Sequence, residues 1–445
     1  RDIQLRDVSV EGDAHIKETQ TAQGVVPLVI AGNVIHVTAA DSDQAKAVVV
    51  GKPAHISGRG VSVEGASVHV DRAANLAWVP GSGKATLPLN QMDFQTASNA
   101  RGRSDAEVRS VNSRRDESAT VTWRDGMQFD GRTLQLRGEV LARTPTQRLA
   151  APAVDVSITR HVDFANPPAR EGITVSDVQF HGQVTAENRT YENGALTAID
   201  TMLVRQLRID NQSGELTADG PGWMKSVRRG QSQFRPSVPG AVNARPEPAS
   251  DTSGLTYVRL TFEGSIRGNV HQRYAQLHDD VRAVYGPVER WEDTIDADQA
   301  LASRDDVIVL TSDMLQVAQM GERPDGGVAI EMQALGNAMV EGASFTARAH
   351  RIAYSQAKDM LLMEGDGRNH AELYRQTQVG GQSGRAAARK IVYWPSSGRM
   401  DVDTFHSFDS LTPFLPTGGV LPDAIGRRFR EEQNSRTPPP ATAPR

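Results

Sequence analysis

The chain contains no cysteine and few aromatic residues, which are 5% of its 445 residues. Without thiols it can form no disulfide, no thiolate metal site and no cysteine nucleophile. The scarcity of aromatic residues, together with an apolar content of only 38%, argues against several thick globular cores. This composition favours thin sheets, because a narrow core needs few large side chains.

The chain also lacks excess positive charge and long apolar runs. Its formal net charge is -5. General nucleic-acid binding usually needs a basic surface, so we expect no nucleic-acid partner. No run of eighteen apolar residues is present, so no membrane-spanning helix is predicted. The chain begins at Arg1 inside an alternating strand pattern. Any N-terminal signal or anchor is therefore expected to be absent from this sequence, by removal or because the chain is a fragment.

A phrase with fixed spacing recurs three times. Each copy has two alternating apolar residues and a polar residue, followed ten and twelve residues later by two glycines. The copies are Val68-x-Val70-Asp71 with Gly81 and Gly83, Leu207-x-Ile209-Asp210 with Gly220 and Gly222, and Ile352-x-Tyr354-Ser355 with Gly365 and Gly367. Alternation predicts half-buried strands, and the glycine pairs predict structural turns. Reuse of one unit indicates a repetitive all-β body.

Composition along the chain predicts several segments. A polar, Arg/Ser/Asp-rich stretch and a Pro-rich stretch with few apolar residues interrupt the strand patterns. The predicted segments are 1–90 (β), 91–118 (polar loop or insert), 119–230 (β, continuing the fold), 231–254 (Pro-rich linker), 255–410 (second β domain) and 411–445 (C-terminal tail, largely disordered).

Local matches to catalytic and metal motifs are weak. Gly81-Ser82-Gly83-Lys84 lacks the first glycine and the final Ser or Thr of a phosphate-binding loop. The acidic stretch from Glu289 to Asp298 lacks the ligand spacing of an EF-hand and is predicted to be a solvated loop. The histidines form no metal-binding motif. We therefore predict no catalytic residues, no metal site and no cofactor.

The apolar residues of the repeated strands are the remaining candidates. They are Val61, Val63, Val68, Val70, Leu207, Ile209, Ile352, Tyr354, Ile391 and Tyr393. Two arrangements fit their alternation: a closed sandwich core, or an open pair of sheets whose inner face is a groove for acyl chains. Both need one apolar face per strand, and the pattern alone slightly favours the closed core.

Three stretches resemble a known family. They are VSVEGASVHVDRA at 61–73, FTARAHRIAYSQAKDMLLMEGDG at 345–367, and AAARKIVYW at 386–394, which leads to RMDVD at 399–403. These stretches resemble the repeated phrase of LptA/OstA-type proteins, the organic-solvent-tolerance family of lipopolysaccharide transport. The resemblance covers more than one segment and is clearest over 50–90 and 334–405.

The resemblance implies an elongated antiparallel β-jellyroll, or β-taco, of two or more stacked segments in the periplasm or cell envelope. It implies a non-enzymatic protein that shields the acyl chains of lipopolysaccharide or another envelope lipid during transport and outer-membrane assembly. Its implied protein partners are other Lpt-type β-jellyrolls, joined by edge-strand pairing. Two alternatives remain: an envelope β-scaffold with a closed core and no lipid, and a carbohydrate-active β-helix enzyme.

Overall fold

The protein is described from a computed structural model. The described residues are 6–17, 27–40, 42–58, 61–88, 118–165, 174–229, 254–304, 306–322, 328–343, 345–376, 383–394, 397 and 399–408. Over these residues the chain forms 26 strands and one short helix. The prediction of an all-β, antiparallel protein is confirmed. Among the described residues, no helix is both long and apolar enough to cross a membrane.

The strands follow one another closely along the chain. The first sixteen are β1 (Asp7–Lys17), β2 (Val29–Thr38), β3 (Lys46–Gly58), β4 (Val61–Asp71), β5 (Leu76–Pro80), β6 (Gly83–Pro88), β7 (Ser118–Trp123), β8 (Gly126–Phe129), β9 (Thr133–Arg143), β10 (Gln147–Ile158), β11 (Val175–His181), β12 (Val184–Glu192), β13 (Ala195–Val204), β14 (Gln206–Asp210), β15 (Glu215–Asp219) and β16 (Gly222–Arg229). The remaining elements are β17 (Leu255–Phe262), β18 (Ser265–Asn269), β19 (Tyr274–Val288), α1 (Ala297–Ser303), β20 (Ile308–Glu322), β21 (Val328–Gly342), β22 (Phe345–Ser355), β23 (Met360–Glu364), β24 (Ala371–Gln376), β25 (Ser383–Trp394) and β26 (Arg399–Phe408).

The chain divides into two compact units. Unit 1 comprises Arg1–Arg228 and Arg259–His278, and unit 2 comprises Arg229–Val258 and Asp279–Arg445. Residues 259–278 thus belong to unit 1, whereas the sequence analysis placed them in the second domain. Apart from Ser118 and Gly254, the predicted insert, linker and tail lie outside the described residues.

Both units are antiparallel meanders in which a long strand pairs with two short ones. The C-terminal half of β4 pairs with β5, and its N-terminal half pairs with β6. In the same way β9 pairs with β7 and β8, and β10 with β11 and β12. In unit 2, β22 pairs with β23 and β24. Each long strand therefore continues across the position at which its neighbour is interrupted.

These interruptions fall in register and form one line, which we call the crease. In unit 1 it passes through Gly12, Gly32, Gly51, Ala66, Gly81, Asp125, Gly138, Pro152, Gly182, Arg205, Gly220 and Gly264. In unit 2 it passes through Asp313, Gly336, His350, Gly365 and Arg389. Gly81 and Gly138 have φ values of 73° and 82° there. Since side chains disfavour this left-handed region, glycine suits the crease.

Helix α1 was missed by the sequence analysis, which predicted a solvated acidic loop through Asp298. Asp296 is its N-cap, and its carboxylate accepts hydrogen bonds from the backbone N–H groups of Asp298 and Gln299. An Asp before a short Ala-rich run is an ordinary helix-start signal. The acidic stretch therefore ends in a helix.

Candidate functional site: an apolar groove in unit 1

A continuous row of buried apolar side chains lies next to the crease of unit 1. Cross-strand pairing aligns one residue from each successive strand or half-strand, and we call this set the floor row. Its members are Ile35, Val49, Val68, Val79, Met127, Leu136, Val154, Phe180, Leu207, Ala218, Ile266 and Leu277. All of them are buried, with exposures from 0% to 8%.

A second apolar row lies two residues farther from the crease on the same strands, and therefore on the same face. It runs through Val8, Val37, Ala47, Val70, Ala77, Phe129, Leu134, Val156, Val178, Ile209 and Leu216, and we call it the first wall row. Unlike the floor row, it is half-buried throughout, except at Val178.

The other side of the crease repeats this arrangement. Beside the crease lie buried residues such as Ala54, Trp123, Val140, Val184 and Val204. Two residues farther out is the second wall row: Ile16, Ile30, Ile56, Val63, Ala85, Val121, Ala142, Leu149, Ala186, Met202 and Met224. Its side chains are half-buried or, at Ile16 and Met224, exposed by 37% and 36%.

This gradient of burial indicates that the sheet of unit 1 is folded along the crease. A flat sheet with a free apolar face would expose its rows similarly, whereas a V-shaped sheet buries the rows at its apex. Direct approaches across the crease agree. A Cβ added to Gly32 would lie 2.9 Å from Cγ1 of Val49, and one added to Gly65 would overlap Cγ1 of Val79. Unit 1 therefore contains an apolar groove with a buried floor and half-buried walls, and at its outer end a few residues, such as Ala119 and Ile158, are buried again.

The groove is large enough for lipid chains. Each wall row crosses eleven strands or half-strands, which at about 4.8 Å per strand is roughly 48 Å of apolar surface. From the crease to the outer end of a wall, four residues at about 3.3 Å each give a depth of roughly 13 Å. That depth is close to one leaflet of a bilayer, whose hydrocarbon core is about 30 Å thick in total.

Close packing at the apex depends on glycine. Gly83 pairs with Trp123 across β6 and β7. A Cβ added to Gly83 would overlap the indole of Trp123 and lie 2.7 Å from the backbone oxygen of Glu64. Gly83 thus leaves the space in which the largest side chain of the floor lies.

The groove candidates from unit 1 are brought together on this one face. Val68 and Leu207 lie in the floor row, Val70 and Ile209 in the first wall row, and Val63 in the second. Val61 follows Val63 at the outer end of the same wall and is half-buried. The sequence analysis missed most of the floor, including Ile35, Val49 and Phe180. Their alternation was visible, but only the register between strands shows that they form one row.

The candidates from unit 2 occupy a different environment. Ile352 and Ile391 lie beside the crease with exposures of 3% and 0%, and Tyr354 and Tyr393 lie one row farther out with 7% and 4%. Burial therefore extends beyond the first row in this unit. That these four residues line a lipid groove stays a prediction; in the structure they are part of a closed interior.

The predicted turn glycines play equivalent parts in the three copies. The backbone N–H groups of Gly81, Gly220 and Gly365 each donate to the carbonyl oxygen of a neighbouring crease residue, at 3.0, 2.5 and 3.0 Å; the acceptors are Asp125, Gly264 and Arg389. Gly83 and Gly222 begin the half-strands that follow. Gly367 has a φ of 90° and lies between β23 and β24. Each copy of the recurring phrase thus contains the end of one strand, a hairpin turn, the short strand that pairs back on it, and the glycine at which the chain crosses the crease.

Polar residues border one part of the groove. Next beyond the second wall row, on the same face of β10, β12, β13 and β16, lie Gln147, Asn188, Asp200 and Ser226, which pair directly across the strands. We call these four residues and Arg228 the polar lip. Ser226 Oγ donates to Asp200 Oδ1 at 2.7 Å, and Arg228 Nη2 lies 3.1 Å from the same oxygen. Gln147 Nε2 donates to Asn188 Oδ1 at 3.3 Å.

In unit 1, the titratable groups with shifted pKa values lie at turns and on wall exteriors rather than in the groove, whereas in unit 2 burial raises the pKa of Tyr393. The backbone N–H of Thr133 is the main cause of the lowered pKa of Asp130. The backbone N–H of Ser213 is likewise the main cause of the lowered pKa of Asp210. The guanidinium of Arg385 lowers the pKa of Glu372 in unit 2. In the described part of the chain, no group of three or more His, Asp or Glu residues could hold a metal ion.

A polar hollow in unit 2 has a structural explanation. It lies beside α1, and its lining includes Arg290, Asp293, Arg304 and Asp306. Arg290 pairs with Asp293 at 2.9 Å and Arg304 with Asp306 at 3.1 Å. Its charged groups thus satisfy one another, and the groove of unit 1 is the stronger candidate site.

No family model matches the chain, and no curated protein matches it.

Proposed function

We propose that the protein is a non-enzymatic lipid-binding protein whose unit-1 groove shields acyl chains from water. The observation that carries the proposal is the gradient of burial, from a buried floor row to two half-exposed apolar walls. An acyl chain between the walls would remove both of them from water. At about 0.8 kcal/mol per buried CH₂, a chain of ordinary length supplies ample binding free energy without any chemical step.

The biological setting follows from the family resemblance. We propose that the cargo is lipopolysaccharide or a related envelope lipid, and that binding serves its transport across the periplasm and outer-membrane assembly. Edge strands support the proposed protein partners. Among the described residues, β1 pairs with β2 alone and β26 with β25 alone. Each has a free edge to which a strand of another β-jellyroll protein can be added.

A closed envelope scaffold is the second candidate function. The buried interior of unit 2, with Tyr354 and Tyr393 both under 10% exposed, favours it for that unit. The β-helix enzyme receives no such support. Every strand pairing described is antiparallel, whereas a β-helix stacks parallel strands.

The test is lipid co-purification with the full chain. The protein would be expressed in a Gram-negative periplasm, and bound lipid identified by mass spectrometry. Ile56→Asp places a carboxylate in the second wall row. Val48→Asp, on the opposite face of the same strand, is the matched control because it is also half-buried. We expect lipid with the parent and with Val48→Asp, and at least a tenfold loss with Ile56→Asp.

Two results would contradict the proposal. A folded parent that carries no lipid would favour the closed scaffold. Equal lipid on the two variants would place the lipid somewhere other than the groove.

A further inference from the structure

Along the second wall, the polar lip is the stretch of the outer edge where polar side chains pair directly on successive strands. Directly before β2 and on β3, β4 and β6 the residues at this level are apolar or glycine: Leu28, Gly58, Val61 and Leu87. On β10, β12, β13 and β16 they are Gln147, Asn188, Asp200 and Ser226. The outer edge of the second wall is therefore apolar along one stretch and carries hydrogen-bonding side chains along the other.

The polar lip lies on the face of the groove and not on its exterior. Side chains two apart on a strand share a face. Moving outward from the crease at this spacing, β12 presents Val184, Ala186 and then Asn188. In the same way β13 presents Val204, Met202 and then Asp200. The buried floor, the apolar wall and the polar lip thus succeed one another from the crease outward, as the tail and head of an amphiphile do.

The charge of the lip restricts the head it suits. Asp200 and Arg228 compensate each other, and Arg228 Nε also donates to Ser226 Oγ at 2.9 Å. A bare anion would gain from Arg228 but be repelled by Asp200. An uncharged head with several hydroxyl groups can donate to Asp200 and accept from Asn188 and Gln147 without disturbing that pair.

We propose that the polar lip binds the hydroxyl-bearing, uncharged head of an amphiphile whose chain enters the groove toward the crease. The inference rests on the proposed function, adds the orientation of the ligand, and narrows the cargo to a related envelope lipid with an uncharged head, because the head of lipopolysaccharide carries anionic phosphate groups. The depth of the wall, roughly 13 Å for four residues of strand, matches a chain that stands across the groove.

The experiment compares two single-chain amphiphiles of equal chain length, dodecyl maltoside and dodecanoate, below their micellar concentrations. Binding to the full chain at pH 7 would be measured by titration calorimetry. We expect the parent to bind the maltoside about tenfold more tightly. Asn188→Ala with Asp200→Asn should remove that preference, because maltoside binding loses its hydrogen-bond partners while dodecanoate binding is no longer opposed by the Asp200 carboxylate and becomes tighter. Glu187→Ala, on the opposite face of β12, is the control that keeps the preference.

The outcomes separate the two proposals. Equal binding of both amphiphiles by the parent, or equal weakening of both by the double variant, would overturn the lip while leaving the groove in place. Binding of neither would overturn the groove and the lip together. If the double variant does not fold, Ser226→Ala, which removes one hydroxyl at the lip, is measured in its place with the same expected loss of preference.

Discussion

Units 1 and 2 share an antiparallel meander and a crease, yet the second row out from the crease is half-buried on most strands of unit 1 and buried on β22, β23 and β25 of unit 2. In unit 1, Leu136 beside the crease is 4% exposed while Leu134, two residues farther out, is half-buried. In unit 2, Ile391 and Tyr393 have the same spacing and exposures of 0% and 4%. The same alternation of apolar residues therefore produces either a groove or a core, depending on what lies opposite.

The difference has a source in side-chain size. On β22 and β25, unit 2 places the small residues Ala347, Ala386 and Ala388 on one side of its crease and the large residues Tyr354 and Tyr393 on the other. Large side chains beside small ones can interdigitate and fill the space between two sheets. The walls of unit 1 carry mostly Val, Ile, Leu and Ala on both sides, so the space between them is left open.

The largest expected effect is a contrast between the two units. Tyr354→Asp puts a carboxylate into a closed interior and should destabilise unit 2 by about 3–5 kcal/mol or more. Ile209→Asp puts one into the open wall of unit 1 and should cost only about 1 kcal/mol, while lowering lipid binding. Urea unfolding, monitored separately in each unit by hydrogen exchange, measures these two losses of stability. Similar losses of stability would mean that both interiors are closed.

A contrast within unit 1 should be somewhat smaller. Leu136→Ala leaves a cavity in the floor and should cost about 2–5 kcal/mol. Leu134→Ala on the same strand removes a side chain that is already half in water, so about 1 kcal/mol is expected. Urea unfolding of the lipid-free protein measures both. The V-shaped description is wrong if the two substitutions cost the same.

The apex offers a third comparison, between two glycines. Gly83→Ala forces a methyl group toward Trp123 and the backbone of β4 and should cost about 1–3 kcal/mol. Gly126→Ala is the control, because its nearest neighbour, the backbone oxygen of Val79, is 3.5 Å away. Its cost should stay within about 0.5 kcal/mol. Thermal unfolding of the two variants beside the parent distinguishes them.

Lowering the pH should produce the smallest loss of folding stability, and it should do so in both units. Backbone N–H groups lower the folded pKa of Asp210 in unit 1 and of Asp366 in unit 2, with Ser213 and Asn369 as the main donors. The unfolded pKa of Asp is about 3.9. Their stabilising effect is therefore fully present above about pH 4 and is lost as pH falls through the lowered folded values.

Matched substitutions assign this effect to its unit. Asp210→Asn should reduce the acid sensitivity of unit 1 alone, and Asp366→Asn that of unit 2 alone. Hydrogen exchange at pH 7 and pH 3 provides the measurement for each unit. Unchanged acid sensitivity in both variants would show that other carboxylates dominate.

Much of the fold was predictable because its signals are local. The alternation at 61–70 predicted β4, and Gly81 and Gly83 predicted the turn that separates β5 from β6. Helix α1 was missed because its seven residues are too few for a helical period to show against the acidic residues around it. The crease was missed because its members differ in residue type, as Gly138, Pro152 and Arg205 do.

The candidate site was predictable only in part. Val68 and Leu207 were identified from the repeated phrase, and the structure places both in the floor row. The polar lip was not found, because Asn188 and Asp200 are far from any motif and become neighbours through pairing of β12 with β13.

By itself, the sequence determined which segments form strands, where they turn and which face of each is apolar, since these depend on side chains within a few residues of one another. The tertiary structure alone decided that the interruptions line up as a crease and that one apolar face remains an open groove while the other closes. Openness depends on the space between two walls, and that space is set by residues distant in the chain, as Val70 in the first wall row and Val121 in the second are.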